Sequence, residues 1–149
     1  AMAGLFFEKP PGHGRARIPA TGRFTGPVVM LIDERMISSA ETFTWAMTET
    51  GRVVTVGRPT GGATIIPRSF DAPSGLFSFR LGVTDRKTPG KGVQPEGIGT
   101  APDVYVPYTA KTLADGRDPV LETARLVLGH LLAGKSRKQA IAAGKKARK

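Results

Sequence analysis

The 149-residue sequence predicts an α/β fold organised on a strand–helix–strand unit, and three stretches carry that prediction. Pro27 to Ile32 (PVVMLI) is a continuous apolar run rich in β-branched residues, the pattern of a strand covered on both faces. From Ser39 the spacing turns helical, with Ala40, Phe43 and Met47 on one face and Trp45 and Ala46 near its edge. Gly51 then serves as the C-cap, and Val53 to Val56 is a second buried strand ended by Gly57. A unit of this size predicts parallel pairing with a right-handed crossover.

Composition narrows the class. The length suits one domain with a real core. There is no cysteine, which excludes disulfides and thiolate metal sites but leaves the compartment open. No apolar run reaches the length of a membrane span. The start AMAGLFFEKPPGHG lacks a basic region followed by a long apolar core, so no signal peptide is expected there. Of the net charge of +10, seven positive charges lie in residues 135–149, which hold no acid, leaving about +3 for the rest. The basic character therefore belongs to a tail and not to the fold.

The remaining elements follow in order. Residues 1–26 read as a leader: Leu5-Phe6-Phe7 suits a short strand, and Lys9 to Gly22 a basic Pro/Gly loop in which His13 is a candidate base, though a lone loop histidine is more often idle. Arg58 to Thr64 (RPTGGAT) is a glycine-rich turn of the kind that brings backbone close to another group, and Gly61 and Gly62 are candidate substrate-binding positions. It lacks the G-K-[ST] ending and following helix of a phosphate loop. Arg68 to Thr84 predicts a hairpin turning at Asp71–Gly75, with Phe77, Phe79, Leu81 and Val83 opposite a wet face. Asp85 to Gly99 is a long loop carrying Glu96, and Asp103 to Val106 is a final strand. Asp118-Pro119 opens a helix whose core stripe is Leu121, Ala124, Leu128, Leu131 and Leu132, ended by Gly134. Residues 135–149 predict a disordered basic tail.

The joint between the first strand and its helix has two readings. Ser38-Ser39-Ala40-Glu41 fits the capping box S-x-x-E, in which Ser38 accepts from the Glu41 N–H and Glu41 reaches back to the Ser38 N–H. Alternatively, the joint places a hydroxyl beside unpaired N–H groups at a helix start, where developing negative charge is favoured, as an acyl-transfer nucleophile requires.

Four segments, in order, resemble the C-terminal processing, or tail-specific, serine peptidases and their tricorn-like relatives. They are GPVVMLIDERMISSAETF, GRVVTVGRPTGGA, GKGVQPEGIGTAPDVYV and DPVLETARLVL. The third is similar to the family's G-x-G-x-x-P-D ending and is the most specific. The resemblance implies a crotonase-like (ClpP/crotonase) α/β core, present as a partial domain over residues 27–134. It places the nucleophile at Ser38, one oxyanion donor at the Ser39 N–H and an orienting acid at Glu96. The processing branch carries its base lysine in F-G-K-G after the second strand, where this chain has Ala63 within Gly61-Gly62-Ala63-Thr64; Lys87 and Lys91 do not match that motif. The tricorn-like branch uses an upstream histidine, and neither it nor the family's D-L-R-x-N-x-G-G strand is in this sequence.

The implied function is serine-type endopeptidase action on polypeptide substrates, without a cofactor or metal, by a piece that is inactive alone. A periplasmic or secreted location and a homo-oligomer are compatible with the resemblance. Two other expectations stand beside it: a non-catalytic relative holding extended peptides along a sheet edge, and anion or nucleic-acid binding through the basic tail. A basic tail is more often a solvated end, so nucleic acid is not the expected partner.

Overall fold

The computed structural model describes residues 24–84, 87, 92 and 94–147. The expectations for Leu5–Phe7, His13, Lys91 and most of residues 85–93 lie outside the described residues. The strand–helix–strand unit is present: β1 (Val28–Ile32), α1 (Ser39–Glu49) and β2 (Val53–Gly57). A hairpin follows, β3 (Pro67–Asp71) and β4 (Ser78–Gly82), then β5 (Val104–Tyr105). Three helices close the chain: α2 (Ala110–Ala114), α3 (Pro119–Leu132) and α4 (Arg137–Ala147). The protein is thus mixed α/β.

The main sheet has the order β1-β2-β5 and is parallel throughout, with Val28 beside Val53, Ile32 beside Gly57 and Val56 beside Val104. The middle strand is the fully covered one: Val53, Val54 and Val56 are buried. The strand predicted as covered on both faces, β1, lies at the edge of the sheet formed by the described residues and leaves Leu31 42% exposed. A short apolar run cannot reveal which strand gets two neighbours.

One apolar cluster joins β2 and β5 to α3 and α4 through Val54, Val56, Val104, Val106, Val120 and Val127, among others. In α3 the covered stripe is Val120, Thr123, Ala124 and Val127, while Leu121 and Leu132 face solvent. The expected stripe was about one position out of phase, sharing buried Ala124 and the partly buried Leu128 and Leu131. Branched valines fit close against the sheet, and the longer leucines fall on the rim. The N-cap is as expected: Asp118 accepts the Leu121 N–H at 2.9 Å with Pro119 in the first turn.

The basic tail is corrected. Residues 137–147 form α4, packed on α3 and β5. Ser136 and Gln139 cap it reciprocally, the Ser136 N–H donating to Gln139 Oε1 and the Gln139 N–H to Ser136 Oγ. Ala140 is fully buried, and a Cβ on Gly144 would lie 2.7 Å from a Val127 methyl. The helix buries too little to fold alone, but small residues at 140 and 144 let its backbone dock on surface that α3 and β5 supply. The Arg137 guanidinium adds a 2.7 Å bond to Asp103 Oδ2, and the Thr55 N–H donates to the same oxygen.

The hairpin forms with Phe70 opposite Phe79 and Arg68 opposite Leu81. Its apolar face, expected to be covered, is exposed along both strands in the described structure.

Candidate active site

Helix α1 begins at a backbone kink. Ser38 has φ 56° and ψ −118°, and among the described residues it is the only non-glycine with positive φ. These are the angles of the first corner of a type II′ turn, a place glycine usually fills. A side chain held there costs about 1–3 kcal/mol and persists only where surrounding bonds over-determine it. The bonds are present: the Ser38 N–H donates to the Ala63 carbonyl at 2.7 Å, and the Glu41 and Thr42 N–H groups both donate to the Ser38 carbonyl at 3.1 Å.

The capping box is absent. The Ser38 side chain makes no cap hydrogen bond, and its residue is exposed. The positive φ swings the hydroxyl away from the helix axis, out of reach of the Glu41 N–H. The next residue, Ser39, is also exposed, and among the described residues its N–H meets no acceptor. An unclaimed amide thus stands beside an unclaimed hydroxyl at the positive end of a helix.

Glu41 does other work than capping. It is fully buried, and its carboxylate accepts from Thr60 Oγ1 at 2.6 Å, the Gly62 N–H at 2.9 Å and the Ala63 N–H at 2.8 Å. The covered face of α1 is therefore Glu41, Thr44 and Trp45, with Ala46, and not the expected Ala40, Phe43 and Met47; Phe43 is 55% exposed. A buried carboxylate demands donors, and the glycine-rich turn provides them.

That turn is clasped from both sides. The Gly61 N–H donates to the Met36 carbonyl at 3.0 Å, and the Gly97 N–H donates to the Gly62 carbonyl at 2.7 Å. A Cβ on Gly62, whose φ is +72°, would sit 2.8 Å from the Gly99 and Ile98 nitrogens. The close approach inferred from these glycines is thus to the chain itself. Both amides are turned toward Met36 and Glu41; Gly62 is buried, and Gly61 alone of the two is exposed.

Glu96 lies on the same turn. Its Oε2 accepts from the Thr64 N–H at 2.5 Å, Thr64 Oγ1 at 2.8 Å and the Ile65 N–H at 2.8 Å. Those donors, the Thr64 amide first, hold its carboxyl below the usual glutamate range. The Ala63 carbonyl and the Thr64 N–H belong to one peptide unit, and in a trans peptide they point in opposite directions. Ser38 and Glu96 are therefore brought to opposite sides of a single peptide. The carboxylate braces the segment that holds Ser38 and does not hydrogen-bond its hydroxyl.

Ser38, Ser39, Gly61, Gly62 and Glu96 thus gather around residues 60–65. Glu41 was missed as a brace because its motif has a simpler local explanation. Thr60 was missed as well: its hydroxyl donates to Glu41 and accepts the Thr100 N–H at 2.7 Å, tying the turn to the late loop. Nothing local marks a threonine for that task. Among the described residues no group of His, Asp and Glu could hold a metal ion, and no helix is long and apolar enough to cross a membrane.

Residues 8–106 match peptidase family S41. Among solved structures, a candidate peptidase of Parabacteroides merdae is 27% identical with a TM-score of 0.61, over 71% of this chain and 33% of its own. Mature CPAF is 24% identical with a TM-score of 0.59, over 78% of this chain and 21% of its own. The tricorn protease is 18% identical with a TM-score of 0.58, over 71% of this chain and 10% of its own. The last two share the fold. No curated protein matches the chain. The chain spans a third or less of the length of these structures. With the family match covering most of its length, the chain belongs to peptidase family S41.

Proposed function

We propose that this chain carries the nucleophile of a serine endopeptidase of the tail-specific, tricorn-like type, on a crotonase-like α/β core. The observation that carries the reading is the strained backbone of Ser38, whose hydroxyl is exposed and uncommitted at a helix start. Strain of this kind gathers at active sites, and a sharp strand-to-helix turn is one way to present a serine. Family S41 membership supplies the chemistry.

Ser38 Oγ attacks the scissile carbonyl carbon, and the resulting oxyanion receives the Ser39 N–H. Glu96 acts as the orienting acid, through the peptide it shares with Ser38. Exposed Gly61 lies on the floor of the cleft over which a polypeptide substrate passes, and buried Gly62 supports it from behind. The family's base lysine is replaced by Ala63, and among the described residues no basic side chain bonds the Ser38 hydroxyl. In this reading the base is supplied by a segment or chain beyond these 149 residues, so the 149-residue chain by itself is expected to hydrolyse no peptide.

Ser38→Ala in the intact protein is expected to lower cleavage of an unfolded polypeptide by about 10³-fold or more and to abolish labelling by a serine-reactive probe. Unchanged cleavage would remove Ser38 from the mechanism. Turnover by the 149-residue chain alone, lost in Ser38→Ala, would show that the base is already within it.

A further inference from the structure

At the C-terminal edge of the parallel sheet, beside the loop that leads to Ser38, lies a cleft with about 200 Å³ of open space. Leu31, Met36 and Val120 line its apolar part, with the face of Tyr108. Its polar part is Asp33, Asp118 and Arg58. In open parallel sheets such crevices beyond the strand ends are where ligands bind. Met36 lies two residues before Ser38, so their Cα atoms are within about 7 Å. An extended polypeptide advances about 3.3 Å per residue, which puts the cleft one to three residues from the bond Ser38 would attack.

The charges decide what the cleft accepts. Arg58 is already engaged: its guanidinium donates to Glu34 at 2.7 and 2.9 Å and stacks on the Tyr108 ring with 4.7 Å to the centroid. Asp33 Oδ2 is only loosely paired with it at 3.7 Å, and the Asp33 side chain stays 38% exposed. Asp118 Oδ1 receives the Tyr108 hydroxyl at 3.2 Å and the Leu121 N–H. Asp33 and Glu34 thus flank the Arg58 guanidinium, and Asp118 lines the same cleft bound to Tyr108. A further cation, Arg35, sits by Glu34 and is not in the lining; the lining itself holds two carboxylates to one engaged guanidinium. An anion such as a peptide C-terminus meets net repulsion here. A long aliphatic stem with a cationic head meets apolar walls below and carboxylates at the rim.

The geometry points to a subsite for a basic side chain, lysine or arginine, of the polypeptide substrate, within three residues of the scissile bond. This rests on the peptidase reading for its position along the substrate, but not for its binding preference. Burial and the neighbouring Asp118 raise the Tyr108 phenol above its usual range, so it remains a neutral donor to Asp118 while the cleft fills.

The test separates binding from turnover. In the intact protein carrying Ser38→Ala, the affinities of three labelled peptides are measured, acetylated and amidated and identical but for lysine, norleucine or glutamate at one position. The lysine peptide is expected to bind about 10-fold more tightly than norleucine, and glutamate more weakly than either. Asp33→Asn, which keeps an acceptor for the Arg35 N–H, is expected to reduce the lysine advantage to about threefold or less without weakening norleucine. Leu31→Trp, at a half-exposed wall position, is expected to weaken both by filling the cleft. Equal affinities, or a lysine preference untouched by both variants, would overturn the inference. If the lysine preference holds while wild-type protein neither cleaves nor reacts with the serine probe, the peptidase reading fails and the subsite stands. If the protein cleaves with no basic preference, the subsite alone fails.

Discussion

The two regions that flank the middle strand are built by different physics. On the α3–α4 side, Val54, Val56, Val104, Val120, Val127 and Ala140 exclude water by packing, and no α1 residue joins that cluster. On the α1 side the buried groups include Glu41, Thr60 and Thr64, which hydrogen bonds join to the turn and the late loop, and Thr44, whose hydroxyl donates to the Ala40 carbonyl. Apolar packing is non-directional and tolerates small slides of one helix on another. A carboxylate with three donors tolerates almost none, because each bond weakens steeply with angle. A reacting hydroxyl must be placed within a fraction of an ångström, so the polar region belongs under the site and the apolar region under the scaffold.

The largest effect is expected where directional bonding is lost. Glu41→Leu removes the acceptor of Thr60, Gly62 and Ala63 at once, in a fully buried place. Each orphaned donor costs about 1–3 kcal/mol, and because the Thr60 hydroxyl can turn to another acceptor the loss is expected to fall in the lower part of the sum, about 3–5 kcal/mol, read by denaturant unfolding. Because Ala63, whose N–H Glu41 accepts, also holds Ser38 through its carbonyl, serine-probe labelling of the intact protein should disappear in whatever fraction remains folded. A loss under about 1 kcal/mol would mean that water replaces the carboxylate and that the two regions do not differ as described.

A smaller and differently distributed effect is expected from Val127→Ala. Val127 is fully buried beneath Gly144, where a methyl in place of a Cα hydrogen would lie 2.7 Å from a Val127 methyl. Truncation opens a void and is expected to cost about 2 kcal/mol, chiefly by loosening α4. In the folded state the Ser38 kink keeps its three backbone bonds, so probe labelling should be unchanged. If labelling falls in step with Val127→Ala, the scaffold and the site are one cooperative unit and the contrast is false.

The same contrast explains what could be read from the sequence. The strands, the hairpin turn, the Asp118 cap and the order of elements through β5 were legible because apolar runs and turn residues signal locally, whereas α2, five residues with none buried, carries no apolar stripe and was not expected. The phase of α3 was missed because Leu121 and Leu132 are as apolar as Val120 and Val127, and only shape decides which of them meet the sheet. Two capping boxes, Thr109 with Thr112 and Ser136 with Gln139, are real, whereas the one proposed at Ser38 is not. S-x-x-E describes both a cap and a kinked serine followed by a buried brace, and the partners that decide between them are 19 to 22 positions away. The tail was misread for a related reason: its small residues look too weak to fold, and the surface that completes them lies on α3 and β5.

The smallest expected effect is a pH dependence confined to the late loop. Glu96 is held below the ordinary glutamate range first by the Thr64 amide, then by the Thr64 hydroxyl, with a further contribution from the Ile65 amide. A carboxyl lowered on folding contributes stability that is fully present above the unfolded value of about 4.3 and is lost as pH falls through the folded value. Nothing should change between pH 7 and 5. Below about pH 4, protonation weakens the acceptor of two adjacent amides, and the turn around residues 60–65 loosens before the apolar side responds. Amide exchange at Thr64 and Ile65, corrected for its intrinsic rate, should accelerate there while Val54 and Val127 stay protected. Glu96→Gln should exchange faster at neutral pH and lose the acid dependence. An unchanged pH profile in that variant would assign the acid response to some other group, and Glu96 would then not be what holds the Ala63–Thr64 peptide against Ser38.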